Sequence, residues 1–264
     1  MMMMQTMWSR TIFAAVIWVT LSAAAPAASP YLDASRLFDR GRYLEAAALA
    51  ATARTAAGFA LAARATLANA IYVAKPPHRQ VQVEKGVELA EKALALDSHI
   101  VEAHLQLVIA FYQKSRAITP LDAYFQGYAD KSSEHLAIAL DLEPDNPWGL
   151  WLLGGWNFEV VRLAGPILAD TLFSASLAAG RAAFTKANSL MPGSVVLQYS
   201  FARALLVDDP DTNRTEAIQL LKNALAAKRK DHLDGIIASR ARAVMDAVQA
   251  NSPDDLRHAM QPDG

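Results

Sequence analysis

The feature that most constrains the fold is a six-residue phrase that recurs along the chain. It reads ALALDS at residues 93–98, ALDLEP at residues 139–144 and ANSLMP at residues 187–192. A degenerate copy begins at Ala224 and ends near Arg229. Two of the copies end in proline, which cannot continue a helix, so the phrase is typical of a helix end followed by a new start. Recurrence at intervals of tens of residues indicates a helical-repeat protein.

Small and large apolar residues fall between these phrases in a pattern that predicts helical hairpins. Leu153 and Gly154 on one expected helix are matched by Gly180 and Phe184 on the next. Two helices approach closely only where a small residue of one faces a bulky residue of the other. We therefore predict an all-α fold: a right-handed α-solenoid of four to five stacked helix pairs, closed by a C-terminal helix over about residues 233–250.

These positions resemble a known repeat family. The spacing of small and large residues, with the terminal proline, resembles the tetratricopeptide repeat (TPR) over residues 31 to about 230. Residues 152–193 also resemble the regulator of microtubule dynamics family and the periplasmic TPR subunits of bacterial solute transporters. Asn157 departs from the TPR pattern, which prefers tyrosine there, and Ser98 and Arg229 stand where it has proline. The resemblance implies the fold, and it supplies no catalytic residues to carry over.

The N-terminal residues predict export. Arg10 is the only charge before an apolar stretch at residues 11–21, and small residues follow at 22–29. This stretch is too short to span a bilayer and is typical of a signal peptide, with cleavage expected after Ala27. An uncleaved anchor is the alternative. The chain has no cysteine, which excludes disulfides and a lipid-modified cysteine. We therefore expect a periplasmic or secreted protein without stable membrane insertion after cleavage.

Composition and charge predict the domain boundaries and exclude one class of partner. Hydrophobic residues make up 53% of the chain, so we expect one folded TPR-like domain over residues 28–250 after a signal peptide at residues 1–27. Residues 251–264, which carry two prolines, are expected to form a disordered tail. The formal net charge is −1 and the longest basic run is residues 228–230, so nucleic acid is not an expected partner.

Three insertions lengthen the repeats beyond the usual TPR. They fall at residues 75–85, 114–133 and 162–178, in each case between the first and second helix of a pair. In an antiparallel hairpin array these turns share one rim, and insertions confined to one face are often part of a binding face. We interpret them as short helices that fold over the rim. The alternative is that they only extend the core.

The candidate binding residues are aromatic, with one cation. Three aromatic residues crowd the second insertion, and three tryptophans crowd one expected first helix. Large aromatics on a concave surface favour binding, although packing in the core is the ordinary role of a tryptophan. Arg162, an i, i+3 neighbour of Glu159, is a candidate for a polar ligand, with a local ion pair as the alternative. The set is Tyr124, Phe125, Tyr128, Trp148, Trp151, Trp156 and Arg162.

The residues carry no recognisable catalytic or metal-binding motif. The six histidines lack zinc-protease spacing, and the glycines form no phosphate loop. We therefore expect no enzyme activity, cofactor or metal. The first hypothesis is a binding or scaffold protein that engages a peptide or protein partner through its concave face and inserted rim. The alternative is an accessory subunit of a periplasmic solute-uptake system, with a small apolar or acidic ligand in the groove.

Overall fold

The computed structural model describes residues 29–260, so the expected signal peptide at residues 1–27 lies outside the described residues. Every regular element in this range is a helix. The helices are α1 (Pro30–Asp39), α2 (Tyr43–Thr52), α3 (Ala56–Tyr72), α4 (His78–Leu96), α5 (Val101–Arg116), α6 (Pro120–Phe125), α7 (Tyr128–Leu142), α8 (Pro147–Ala164), α9 (Pro166–Phe173), α10 (Leu177–Leu190), α11 (Val195–Asp208), α12 (Arg214–Ala226), α13 (His232–Gln249) and α14 (Pro253–Met260).

The long helices form antiparallel hairpins that stack in chain order. The packed pairs are α1 with α2, α3 with α4, α5 with α7, α8 with α10, α11 with α12, and α13 with α14. Successive hairpins also pack on each other, for example α2 on α3 and α4 on α5. This confirms the all-α helical-repeat solenoid. The predicted closing helix is α13, which begins one residue before the expected start and ends at Gln249.

Glycines set the spacing inside these hairpins. A Cβ on Gly154 of α8 would lie 2.7 Å from ring atoms of Phe184 on α10. The reciprocal contact places Gly180 of α10 against Phe158 of α8, where an added Cβ would lie 2.8 Å from the ring. Each ring therefore occupies the space that a side chain would need on the opposite helix. The match of small and large residues seen in the sequence is thus a direct packing contact.

A polar side chain caps the start of several helices, and α8 is an example. The Asn146 side chain accepts hydrogen bonds from the backbone N–H groups of Trp148 and Gly149, at 3.0 and 2.9 Å. Pro147 occupies the first turn of α8, where its missing N–H costs nothing. Asn146 lies two residues after the ALDLEP phrase, which ends at Pro144. The end of one unit and the start of the next are therefore encoded within a few residues.

Two of the three insertions form separate short helices. These are α6, between α5 and α7, and α9, between α8 and α10, and we call them the rim helices. Gly165, with φ of +77°, turns the chain between α8 and α9. Ring centroids of Tyr124 on α6 and Phe173 on α9 lie 6.5 Å apart, so the rim helices are neighbours. Residues 75–85 do not form a separate short helix over the rim, as we expected. Most of them belong to the long helix α4, which begins at His78.

The expectation of a disordered tail is wrong for residues 253–260, which form α14. Pro253 opens this helix, Asp254 and Asp255 lie in its first turn, and Arg257 lies in its last, an order that suits the helix dipole. Leu256, Ala259 and Met260 pack against the core of the last units. Their i, i+3, i+4 spacing gives the segment an apolar face. This face was missed from the sequence, because the prediction weighed only the prolines and charges of the segment. Residues 261–264 lie outside the described residues.

The two ends of the solenoid meet. The Tyr43 hydroxyl at the start of α2 lies 3.4 Å from Nδ1 of His232 at the start of α13. Gly41 leaves room for this contact, because a Cβ there would lie 2.5 Å from the same nitrogen. Tyr72, at the end of α3, packs against the apolar core formed by α11, α12 and α13. The superhelix therefore curls far enough for its two ends to touch, and its concave face forms a deep cavity that is partly open to solvent.

Candidate functional site

A central cavity of about 1440 Å³, partly open to solvent, lies on the concave side of the solenoid. Its wall is built mainly from the first helices of the hairpins, α3, α5, α8, α11 and α13, with the rim helices α6 and α9 on one side. First helices line the concave face of a hairpin array because the second helices pack outside them. The stacking of the units therefore determines which side chains face the cavity.

The three tryptophans of α8 all line this cavity. Trp148 and Trp151 meet edge to face, with ring centroids 5.8 Å apart, and both also pack against the core of the neighbouring units. Trp156 packs on the other side of the helix and donates a hydrogen bond from Nε1 to the Ala129 carbonyl at 3.2 Å. All three are half-buried. Each tryptophan therefore combines a packing contact with a surface that faces the cavity.

The predicted residues of the second insertion divide into two groups. Tyr124 and Tyr128 line the cavity, whereas Phe125 does not and is 75% exposed. Tyr128 stacks on Phe111 with ring centroids 6.0 Å apart, and the Lys114 and Lys131 ammonium groups lie 5.9 and 5.6 Å from the centre of its ring. The structure therefore brings six of the seven candidate residues to one cavity. Their role in binding stays a prediction.

Arg162 lines the cavity but is already paired. Its Nε and Nη2 donate to the two carboxylate oxygens of Glu159 at 2.9 and 2.7 Å. This bidentate bond raises the pKa of the guanidinium. The local ion pair that we gave as the alternative is therefore present. Because nearly half of the Arg162 side chain is exposed, the pair adds little stability.

The ends of the chain supply cavity residues that sequence reasoning missed. They are mostly aromatic and cationic: Phe38, Arg64, Tyr72, Tyr199, Arg203 and Arg240. No local signal marks them, because they become neighbours only when α13 meets α2 and α3. Across the described residues, the wall carries six arginines and only three carboxylates. These are Arg64, Arg79, Arg116, Arg162, Arg203 and Arg240 with Glu102, Glu159 and Asp208.

Two tyrosines at the junction are held in the protonated form. Burial, followed by the nearby Asp231 carboxylate, raises the pKa of Tyr43 to about 12. Burial also raises the pKa of Tyr72, while the Arg240 guanidinium opposes that shift. The Arg240 guanidinium lies 5.2 Å from the centre of the Tyr72 ring. Both phenols therefore keep their protons near neutral pH and remain hydrogen-bond donors.

A histidine pair lies behind the cavity wall. His104 on α5 is buried, and its Nδ1 lies 2.8 Å from Nδ1 of His135 on α7. His104 Nε2 lies 3.0 Å from the Ser98 carbonyl, so it is the donor there and its Nδ1 accepts from His135. The His135 ring stacks on Phe111, which lines the cavity. Burial and the neighbouring His104 lower the pKa of His135, while Glu134 opposes the shift.

This pair predicts a loss of stability in mild acid. Because the pKa of His135 is lowered in the folded state, the unfolded chain binds more protons, and stability falls as the pH drops below about 6.5. The His135→Gln variant should lose part of this dependence, whereas His99→Gln, at a highly exposed position, should keep it. Urea unfolding measured between about pH 5 and 8, the range in which histidine titrates, checks both variants. The pair has no such role if His135→Gln and the unmodified protein show the same dependence.

Metal binding and membrane crossing are two further possibilities for a helical chain. Among the described residues, no group of three or more His, Asp or Glu side chains is arranged to hold a metal ion. Within residues 29–260, no single helix combines the length and hydropathy needed to cross a bilayer. The helices α9 and α10 pass that test only as a pair, and a bend of 74° separates them.

Comparisons with known proteins agree with this architecture. The crystal structure of a thermophilic TPR protein from Thermus thermophilus is similar, with a TM-score of 0.58 and 17% sequence identity over 81% of this chain and 97% of that chain. At this identity the similarity shows the fold alone. A search of curated proteins gives no significant match. The family model described as Regulator of microtubule dynamics protein 1-3 matches residues 40–249, well over half of the sequence, and confirms the resemblance seen at residues 152–193. The chain therefore belongs to the Regulator of microtubule dynamics protein 1-3 family.

Proposed function

We propose that this protein is an exported, non-catalytic binding protein that holds a small apolar or amphipathic ligand in its central cavity. The observation that carries the proposal is the central cavity itself, lined by Trp148, Trp151 and Trp156 and bounded by the rim helices. Contact between the two ends of the solenoid bounds this cavity on one side, which favours a ligand that fits inside it over a long extended peptide. Export is supported by the signal-peptide pattern at residues 1–27.

The size and lining of the cavity support a ligand. Small-molecule sites commonly measure about 300–1,000 Å³, so about 1440 Å³ accommodates a ligand at or above that range. Water hydrates aromatic and aliphatic walls poorly, and an apolar ligand gains free energy by replacing it. Holding such a ligand is the role expected of an accessory subunit in a solute-uptake system.

A cavity-filling variant tests this proposal. Gly155 on α8 lines the cavity, and a Cβ there would meet only one atom within 4 Å, the Phe184 Cζ at 4.0 Å. The Gly155→Phe variant should therefore place a ring in the cavity. We expect it to weaken binding of the uncharged fluorophore N-phenyl-1-naphthylamine by roughly tenfold or more, since a rigid occupant competes for the same space. Fluorescence titration of the full-length protein measures the affinity.

The matched control is Gly235→Phe. Gly235 lies on α13 outside the cavity, and a Cβ there meets nothing within 4 Å. Gly235→Phe should bind the fluorophore as the unmodified protein does, and both variants should melt cooperatively. The cavity function is contradicted if the unmodified protein does not bind the fluorophore, or if the two variants weaken binding equally.

A second candidate function is supported by the rim helices. Their outer surface exposes two large apolar side chains that do not line the cavity, Phe125 at 75% and Ile167 at 79%. TPR-like folds commonly serve as protein-interaction scaffolds, and exposed apolar patches often mark partner sites. If a protein partner docks here, Phe125→Glu and Ile167→Glu should abolish its copurification from the native envelope. Gly155→Phe should leave that copurification intact, which separates the rim from the cavity.

A further inference from the structure

The rim helices α6 and α9 are held to the rest of the fold by few buried side chains. Each of them buries a single residue, Ala123 on α6 and Ala169 on α9, whereas α8 alone buries seven. The two helices meet through the edge-to-face contact of Tyr124 and Phe173. Segments with few buried apolar contacts open at a low free-energy cost. The rim helices can therefore move without disturbing the packing of the long hairpins.

Left-handed backbone residues flank both rim helices. Gly127, between α6 and α7, has φ of +67°, and Gly165, between α8 and α9, has φ of +77°. A Cβ at either glycine would meet nothing within 4 Å, so these glycines serve the backbone turn rather than a close packing contact. Ser174, directly after α9, has φ of +52°. The bond from the Ser176 N–H to Asn157 then fixes the point where the chain rejoins α8. Helix α9 is therefore a short rod between two turns, which is the usual construction of a hinged segment.

Four large side chains of the rim helices line the cavity and are nevertheless more than half exposed. They are Leu121 at 64% and Tyr124 at 53% on α6, with Leu168 at 53% and Leu172 at 54% on α9. Because they face both the cavity and solvent, they mark the opening of the cavity on the rim side, and we call them the mouth residues. Apolar surface left in water is unfavourable, and its burial against an apolar ligand is favourable. The mouth residues therefore gain free energy if the rim helices cover an occupant.

We propose that the two rim helices form a lid that turns on its flanking residues and closes over a ligand in the cavity. This inference rests on the proposed cavity function and adds a conformational step to it. Closure brings the mouth residues of α6 and α9 together over the ligand, so the closed arrangement is the one that the ligand favours. The closed lid excludes water from the ligand and slows its release.

Two positions on α9 report closure of the lid. The chain has no cysteine, so a single introduced thiol is the only one that a thiol reagent modifies. Leu172→Cys places that thiol at the mouth. The matched control, Ile167→Cys, places it on the same helix at a residue that is 79% exposed and does not line the cavity. Saturating N-phenyl-1-naphthylamine should slow the reaction of Leu172→Cys with a charged methanethiosulfonate by roughly tenfold and leave that of Ile167→Cys unchanged, because closure covers only the inner face of the lid.

Fixing the lid in its closed arrangement tests whether it has to move for release. In the double variant Tyr124→Cys, Phe173→Cys, a short bis-maleimide joins the two rim helices after the fluorophore has been bound. Release measured by stopped-flow fluorescence should then be roughly tenfold slower than in the same variant before cross-linking, because the helices can no longer separate. The matched control is Arg181→Cys, Glu216→Cys, which joins α10 to α12 at side chains that meet at 2.7 Å and do not line the cavity. Cross-linking the control should leave the release rate unchanged.

The outcomes separate the lid from the proposed function. If the fluorophore binds but the cross-link between the rim helices does not slow its release, the lid is overturned and the cavity function stands. The same holds if the fluorophore protects neither introduced thiol, or protects Leu172→Cys and Ile167→Cys equally. If the fluorophore does not bind the unmodified protein at all, the cavity function itself fails. Thermal melting verifies that each variant folds, and Leu168→Cys offers a second mouth position on α9 if Leu172→Cys does not.

Discussion

The Phe184→Ala variant is expected to lose about 3–5 kcal/mol of unfolding free energy, the usual cost of removing a buried phenylalanine ring. Phe184 is 2% exposed and stacks on Phe201 of the next unit, with ring centroids 4.8 Å apart. It also contacts Phe158 and covers Gly154 on α8. The ring therefore joins two helices of one hairpin to the following hairpin, and its loss leaves a cavity between units. Urea unfolding followed by circular dichroism measures the change.

The control for this prediction is Phe125→Ala on the rim. The Phe125 side chain is 75% exposed, so its removal should change stability by no more than about 0.5 kcal/mol. Equal losses in the two variants would mean that Phe184 does not hold the hairpins together. A loss confined to Phe184→Ala supports the stacking of units through this ring.

The second large effect is expected from two neighbouring glycines of α8. Replacing either with alanine gains about 1 kcal/mol of helix propensity. At Gly154 the new Cβ would lie 2.7 Å from Phe184, and an extra methyl in a packed core typically costs about 1–3 kcal/mol. At Gly155 the nearest atom is 4.0 Å away, so the methyl fits. We therefore expect Gly154→Ala to be less stable than Gly155→Ala by about 1–3 kcal/mol.

Because the two positions are adjacent on one helix, the comparison removes most effects unrelated to packing. Thermal melting and urea unfolding of the pair give the difference directly. A smaller stability for Gly155→Ala, or no difference between the variants, would show that α8 and α10 do not pack in this register.

Local sequence was sufficient for the helices and their pairing. The phrases that end near residues 98, 144 and 192 each mark the end of a second helix, at Leu96, Leu142 and Leu190. Gly154 and Phe184, predicted to face each other, do meet across α8 and α10, whereas the ring that packs on Gly180 is that of Phe158, which was not predicted. These signals are local because a helix end, a cap and an i, i+3 or i, i+4 face all lie within a few residues. The prediction of a disordered tail was wrong for residues 253–260, because α14 is stabilised by packing on the preceding units rather than by its own composition.

The candidate site could be predicted only in part. Residues of α8 and of the second insertion were found because aromatics cluster there along the chain, and six of the seven line the cavity. Asn157 was noted only as a departure from the TPR pattern. In the structure its side-chain carbonyl oxygen accepts from the Ser176 backbone N–H at 2.9 Å, which anchors the segment that follows α9. The sequence around Asn157 does not predict that bond, because its partner Ser176 lies 19 residues away.

The sequence by itself determined the repeat, the small and large residues that set helix spacing, and the turns where the rim helices are inserted. These depend on neighbours within one hairpin, whose contacts span a few tens of residues. Only the tertiary structure decided that the ends of the solenoid touch, because Tyr43 and His232 are 189 residues apart and meet only after every intervening unit has added its own rotation. The central cavity follows from that accumulated geometry, which no single segment encodes.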